Sequence, residues 1–452
     1  MKNYMTTSRG RCAQRWPQPL PLVLLAALAI LAPSPSAAQA TSYGVIYSFK
    51  GKPDGANPRA AVIIDKDGAL YGTTYVGGAS GLGTVFELTK AAGQPWSETV
   101  LHSFSGPDGS NPRANVVFGS KALYGTTATD SGNAGTVFEL APPSVAGSAW
   151  TESVLYAFAG GGGNILDGAL LISPSGTLYT TTQGNTLPGG TVVSLAPPAV
   201  PGGSWTESVI YRFVGGAGGA AGSNPYAGLV SEGGALYGTD YANGDEYCQC
   251  GVVYELTAPA PQGGAWTETT IHTFGTSPGD GASPLAALTV GPGGVLYGTT
   301  VTGGTEVCAT TGFVEGCGTV FQLTPPTTPG GAWTESVIYN FTGANGDGAG
   351  PVSSVVVGHN GEIYGTTQYG GSTDAACPAT YDNLGGCGTV FELTPPAAPG
   401  GAWTENVLHV FSGQNGDGSQ PVAGLALSST GTLYGTTSDG GAGAGTVFAI
   451  MP

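Results

Sequence analysis

The chain has 452 residues, of which 9% are charged, 40% are hydrophobic and 80 are glycine, and its formal net charge is −17. Charge is far below the roughly 25% of an average soluble domain, yet the hydrophobic and aromatic content is too high for a disordered chain. The acidic balance excludes nucleic acid and anionic membranes as partners, because both need Lys and Arg against their phosphates, and after Lys121 the only basic residue is Arg212.

Residues 1–40 read as a secretory leader. Lys2, Arg9, Arg11 and Arg15 precede a short apolar run from Leu20 to Leu31, and Ala38-Gln39-Ala40 offers a cleavage site. An uncleaved anchor is the competing reading, but the run falls short of the roughly 20 residues that span a bilayer. Cleavage leaves a single domain, 41–452, in which 8 basic residues stand against 29 acidic ones for a net charge of −21. No later segment is apolar enough to cross a membrane as a helix. A secreted protein, periplasmic or extracellular, is expected, and a monomer.

From Tyr43 onward the chain repeats itself. A Leu-Tyr or Ile-Tyr anchor recurs at Tyr71, Tyr124, Tyr179, Tyr237, Tyr297, Tyr364 and Tyr434, spaced by 53, 55, 58, 60, 67 and 70 residues. Each copy carries four strand-like runs. The first is small and apolar, as in RAAVIID, and ends in a tight Asp-Gly or Asn-Gly type of turn. LYGTT is the second and GTVFELT the third. After a Pro/Gly connector the fourth run starts near Trp96, Trp150, Trp205, Trp266, Trp333 or Trp403 and alternates with period two.

Seven units of four strands predict an all-β fold, a seven-bladed β-propeller with four antiparallel strands per blade. The ends support it. YGVIYSF (43–49) is a fourth strand with no partners before it, and GTVFAIMP (445–452) is a third strand with nothing after it. Joined, they complete the last blade and close the ring, which removes free sheet edges. The small first run then lies near the axis and the Trp-bearing run outside. The strand glycine of LYGTT admits a bulky neighbour, and the preceding Tyr fills the space between sheets. An open β-solenoid is the alternative, but it leaves the matched ends unexplained.

Iterated seven times, LYGTT…GG…GTVFELTP…W…VLHSF…DG.NP resembles the GloVer-type tandem repeat of exported bacterial proteins, over nearly the whole of 41–452. The resemblance implies a secreted or surface protein, in many relatives held by a C-terminal anchor. It implies no reaction and no catalytic residues. This chain stops at Pro452 directly after a strand, without an anchor-like tail, which counts against attachment.

A repeat protein contains its own control: a residue present in most copies serves the fold, and a departure is a better functional candidate. His102, His272 and His409 stand where other copies carry Tyr156, Tyr211 and Tyr339, so they read as an outer aromatic row rather than as acid–base catalysts. Glu98, Glu152, Glu207, Glu268, Glu335 and Glu405 recur likewise. Nucleophile and zinc-protease motifs are absent. The Asp-Gly loops at Asp54, Asp108, Asn345 and Asn415 are oxygen-rich enough for Ca²⁺, but they lack the alternating ligand set and read as turns. No metal, other cofactor or catalytic residue is therefore assigned.

The clearest departures are the loops between second and third strands. From the anchor Tyr to the third-strand Phe, Tyr or Val, blades 1, 2, 3 and 7 use 15, 14, 14 and 14 residues, while blades 4, 5 and 6 use 17, 24 and 27. The same three loops hold all cysteines after the leader, as the couples Cys248/Cys250, Cys308/Cys317 and Cys377/Cys387. An even number in an exported chain reads as disulfides, and no histidine or C-x-x-C pair supports zinc there. The first couple would close a very tight ring. Loops stapled in this way predict a preorganised surface. Its candidate ligand-binding residues are Asp240, Tyr241, Asp245, Tyr247, Glu306, Phe313, Glu315, Tyr369, Asp374, Tyr381 and Asp382. Aromatic rings beside acids suit a glycan or a protein partner. A binding or scaffold module is thus the expected function, and a carbohydrate-active hydrolase or lyase or a structural surface or adhesion component the alternatives.

Overall fold

Each repeat folds into one small sheet because its runs alternate in burial and its turns are glycine-rich. The computed structural model describes residues 41–452 apart from 130–133, 146, 159–165, 184–188, 201, 214–223, 242–249, 260–263, 307, 309–315, 329, 373–376, 378–384 and 399. The expected leader lies outside the described residues. In blade 1 the strands run outward in the order Ile63–Ile64, Leu70–Thr74, Thr84–Thr89 and Ser97–Ser103, all antiparallel, and five further sheets repeat this order. The seventh sheet takes Ala426–Leu427, Leu433–Thr437 and Thr446–Met451 from the end of the chain and Ser42–Ser48 from its start. Ser42 pairs with Met451 and Ser48 with Thr446, so the closure expected from the matched ends is formed.

The first strands are shorter than expected. Only two or three residues of each run join the ladder, because the preceding residues turn to line the axis. Four further two-stranded ladders were not anticipated: Gly55–Ala56 with Val76–Gly77, Gly281–Ala282 with Thr302–Gly303, Gly348–Ala349 with Tyr369–Gly370, and Gly418–Ser419 with Asp439–Gly440. They tie the Asp-Gly connection into a blade to the loop after that blade's second strand.

The Tyr, the Gly and both Thr of LYGTT have partners that explain their recurrence. The Tyr packs toward the Trp of the following blade, as Tyr71 with Trp150, Tyr179 with Trp266, Tyr237 with Trp333 and Tyr434 with Trp96. The Gly sits over the third-strand aromatic: a Cβ on Gly365 would lie 2.5 Å from Phe391 Cζ. That aromatic in turn meets the last Phe of the preceding blade edge to face, at 5.0–5.2 Å in Phe49–Phe86, Phe104–Phe138, Phe274–Phe321, Phe341–Phe391 and Phe411–Phe448. The first Thr reaches across the blade boundary. Thr73, Thr126, Thr181, Thr239, Thr299, Thr366 and Thr436 donate to the carbonyls of Ala114, Gly168, Ala227, Ala286, Ser353, Ala423 and Ala60 at 2.9–3.4 Å. The second Thr pairs with the Thr that opens the third strand, at 2.7–2.9 Å in six blades. Blade 4 has Asp240 at that place.

Between the outer strands the blades meet through acids. Asp54, Asp108, Asp347 and Asp417 of the Asp-Gly turns are each hydrogen-bonded to the Tyr or His near the end of the preceding fourth strand, as Tyr47 to Asp54 (3.0 Å) and Tyr339 to Asp347 (3.3 Å). The recurring Glu of the next blade lies against the same Asp. Burial, and then the charge of Asp54, pushes Glu98 up to about 7; burial and then Asp347 do the same to Glu405. The folded chain therefore holds protons on these two groups that the unfolded chain releases near pH 4.5. Stability should fall as pH rises from about 5 through 7, by roughly 1 kcal/mol per group after solvent screening. Thermal melts from pH 5 to 8 read this directly, and replacing both with Gln (E98Q, E405Q) should make the profile shallower, leaving the share of Glu152, which burial and then Asp108 also push up to about 7; an equally steep profile in the double variant would refute the assignment.

Candidate functional site

A proline opens the segment that leads into most blades, and the residue after it faces the axis. These residues are Arg59, Arg113, Asp167, Tyr226, Leu285, Val352 and Val422, one per blade, and all seven line the same central cavity. In blade 3 Leu166 takes the place of the proline. Their backbone is held by the inter-blade threonine bonds, which end on the next residue in every case. The ring divides the channel. On one side is a cavity of about 320 Å³, bordered also by Asn57, Gln368, Gln420, Ser438 and Asp439; on the other is a throat of about 140 Å³ lined by small residues such as Ala60, Ala114, Ala286 and Ala423.

The ring is two-sided. Blades 1–4 supply charged and polar groups, and blades 5–7 supply Leu285, Val352 and Val422. Arg113 Nη1 lies 3.1 Å from Asp167 Oδ1, whose side chain is 1% exposed, and Gln183 Nε2 donates to the other carboxylate oxygen at 2.5 Å. Burial pushes the Asp167 carboxyl up, while Arg113 and Arg59 pull it back. Tyr75 places its ring under both arginines, with Arg59 Cζ 4.2 Å and Arg113 Cζ 5.3 Å from its centroid. Arg59 Nε donates to Asn57 Oδ1 at 2.7 Å, and the side chain is exposed to the cavity. No ion pair among the described residues engages Arg59. Burial and the neighbouring Asp167 raise Tyr226, which meets Tyr241 edge to face at 6.3 Å.

Of the residues expected in the long loops that are among the described residues, Tyr241 is the one brought to this ring. Asp240 is fully buried and accepts from the Asn224 backbone N–H at 2.8 Å, shaping the approach to Tyr226. Tyr369 is half-buried against the core of blades 5 and 6, and Glu306 is exposed. Asp245, Tyr247, Phe313, Glu315, Asp374, Tyr381 and Asp382 lie outside the described residues.

Two of the three expected cysteine couples are formed as disulfides, Cys308–Cys317 and Cys377–Cys387, with Cα atoms 4.9 and 5.2 Å apart. The third expected couple, Cys248 with Cys250, is not among these two, because Cys248 lies outside the described residues. Cys250 itself is described: it is disulfide-bonded and buried in the core shared by blades 4 and 5. It therefore packs as a core residue rather than lying on the loop surface. Cys250, Cys317 and Cys387 are all buried just before the third strand, at the place where blades 2 and 7 carry Ala134 and Ala444. Among the described residues no helix is long and apolar enough to cross a membrane.

Sequence reasoning missed the axial ring, although the signal was present. Around it the repeats agree, whereas the residue after the proline changes from Arg to Tyr to Val. That is a departure inside a repeated frame, the same criterion that singled out the loops.

The profile of the Gloeobacter/Verrucomicrobia repeat matches residues 35–221 and 148–375. No curated protein matches. Among solved structures, the PQQ-bound aldose sugar dehydrogenase of Streptomyces coelicolor is 11% identical, with 92% of this chain and 99% of that one covered and a TM-score of 0.42. A puromycin-hydrolyzing peptidase of Mycobacterium tuberculosis is 13% identical over 87% of this chain and 52% of its own, at 0.45. The polysaccharide lyase Uly1 is 12% identical over 92% and 94%, at 0.41. At such scores these likenesses carry no functional argument.

Proposed function

Since the chain belongs to the Gloeobacter/Verrucomicrobia repeat family, we propose that its function lies where its repeats differ, and that it is an exported binding propeller whose channel mouth takes an acidic sugar of a glycan. The observation that carries this is the pair Arg59 and Arg113, converging from adjacent blades on Tyr75 in a chain nearly devoid of basic residues. Arg113 is committed to Asp167, which orients it. Arg59 is free to form a forked pair with a carboxylate. Asn57, Gln368, Gln420 and Ser438 offer donors and acceptors for hydroxyls, and the opposite arc of Leu285, Val352 and Val422 suits the C–H face of a sugar ring. Asp167 supports binding rather than bond cleavage, because both its oxygens already accept from protein donors.

The long loops of blades 4 and 6 start at Tyr241 and Gln368, beside the ring, and we propose that their acidic and aromatic residues contact the remainder of the glycan. Calorimetry with uronic-acid oligosaccharides against neutral oligosaccharides of equal length tests the reading. The acidic series should bind, and Arg59→Ala should weaken it by about 10- to 100-fold, the worth of a hydrogen bond to a charged group, without moving the melting temperature. Equal affinity for both series, or an unaffected Arg59→Ala variant, would remove the proposal.

A further inference from the structure

The boundary between blades 4 and 5 differs from its equivalents. His272 ends the fourth strand of blade 4 (Thr267–Thr273), Asp280 lies in the connection that follows, and Glu335 begins the fourth strand of blade 5 (Thr334–Asn340). Elsewhere the first two of these places pair with each other, although the glutamate Oε1 is left without a partner at Glu98, Glu152 and Glu405 as well, and His102, Asp108 and Glu152 are gathered as closely. Tyr47 and Tyr339 donate to Asp54 and Asp347; His102 Nε2 lies 2.9 Å from Asp108; and Asp417 is bonded by both His409 and Tyr43. At His272 this fails. Its Nε2 stands 3.5 Å from Asp280 Oδ1, and Nε2, Oδ1 and Glu335 Oε1 are all buried without a hydrogen-bond partner. The Asp280 side chain is 2% exposed and the His272 side chain 15%. The three ligand atoms lie within 4.8 Å of one another.

The Asp280 and Glu335 carboxylates repel each other, and burial of polar atoms without partners is costly. A cation removes both penalties. The geometry points to a divalent transition-metal site, of the Zn²⁺ class, held by His272, Asp280 and Glu335. One imidazole nitrogen with two carboxylate oxygens suits Zn²⁺ better than Ca²⁺ or Mg²⁺, which take oxygen donors and higher coordination. Ligands at 2.0–2.1 Å from a tetrahedral ion stand about 3.3 Å apart, close to the His272–Asp280 separation, and three protein ligands leave a fourth position for water. The Asp280 carboxylate is already oriented, since the Thr276 N–H donates to its other oxygen at 3.3 Å. A metal here joins the outer strands of two blades directly.

The test is Zn²⁺ titration by calorimetry and Co²⁺ titration by visible absorbance, on chelator-stripped protein. One ion per chain should bind, with a Co²⁺ spectrum of a four-coordinate site and a higher melting temperature on loading. His272→Tyr installs the residue that four other blades carry, so it should fold and lose metal affinity on the order of 100-fold; His102→Tyr should leave the affinity unchanged. If His272→Tyr does not fold, Glu335→Gln repeats the test with a near-isosteric side chain. No saturable uptake by the folded chain, wild-type affinity in the folded variant, or loss of binding with His102→Tyr instead would each overturn the site.

Discussion

Deletion of residues 41–49 should abolish cooperative folding and drive the chain to associate. These residues supply the outer strand of blade 7, in register from Ser42↔Met451 to Ser48↔Thr446, and then Phe49, which is fully buried against Phe86 of blade 1. Tyr43 also stacks on His409 at 3.5 Å and donates to Asp417; against the upward push of burial, the hydrogen bonds from His409 and then Tyr43 hold the Asp417 carboxyl below its ordinary range. Loss of a buried Phe alone costs about 3–5 kcal/mol, and the strand and its tyrosines come on top. The total approaches the whole stability of a typical domain, about 5–15 kcal/mol. The strand Thr446–Met451 would be left as an open edge carrying Val447, Phe448 and Ile450, a template for pairing between chains. Size-exclusion chromatography and thermal melts of the truncated chain measure the effect. A monomer with a sharp transition near that of the full chain would show that the closure is dispensable.

The second large effect concerns the strand glycine. Gly365→Thr places a Cβ 2.5 Å from Phe391 Cζ, in a core with no room to yield, and should destabilise by about 3 kcal/mol or more. Phe391→Val should cost a similar amount through the void it leaves beside Phe341. Together they should cost clearly less than their sum, with a coupling of about 1–3 kcal/mol. Blade 3 supplies the precedent: Thr180 stands at the glycine position there, opposite Val193 instead of an aromatic. Its neighbour Phe158 is correspondingly 6% exposed, where Phe341 and Phe411 are 1% and 0%. Denaturant unfolding of the two single variants and the double variant gives the cycle, and strict additivity would mean that glycine and aromatic are not read as a unit.

Much of this architecture was legible because a blade is a local object. The four runs, their turns and their period of two lie within some 50–70 residues, and each ladder except the closing one pairs segments close in sequence. The Gly of LYGTT could be assigned to close packing before any coordinates, and its partner proved to be the third-strand aromatic. Other parts were hidden. The threonines of LYGTT looked like ordinary strand residues, yet the first of each pair bonds a carbonyl of the next blade. The short first strands were overestimated because an apolar run does not reveal whether it pairs or lines a channel. The recurring histidines and glutamates looked independent until the structure brought His102 with Glu152, and His272 with Glu335, around a shared aspartate.

Taken alone, the sequence determined the number of blades, the order of their strands and the closure of the ring, because hydrophobic period, turn chemistry and matched ends are carried by contiguous residues. Tertiary structure alone decided which departures meet. Arg59, Arg113 and Asp167 stand more than 50 residues apart from one to the next and share a cavity only because the ring brings one residue per blade to its axis. His272, Asp280 and Glu335 likewise converge only at a boundary between two blades. A repeat pattern fixes what every wedge has in common; the closed ring sets the differences side by side, and that is where a ligand can tell them apart.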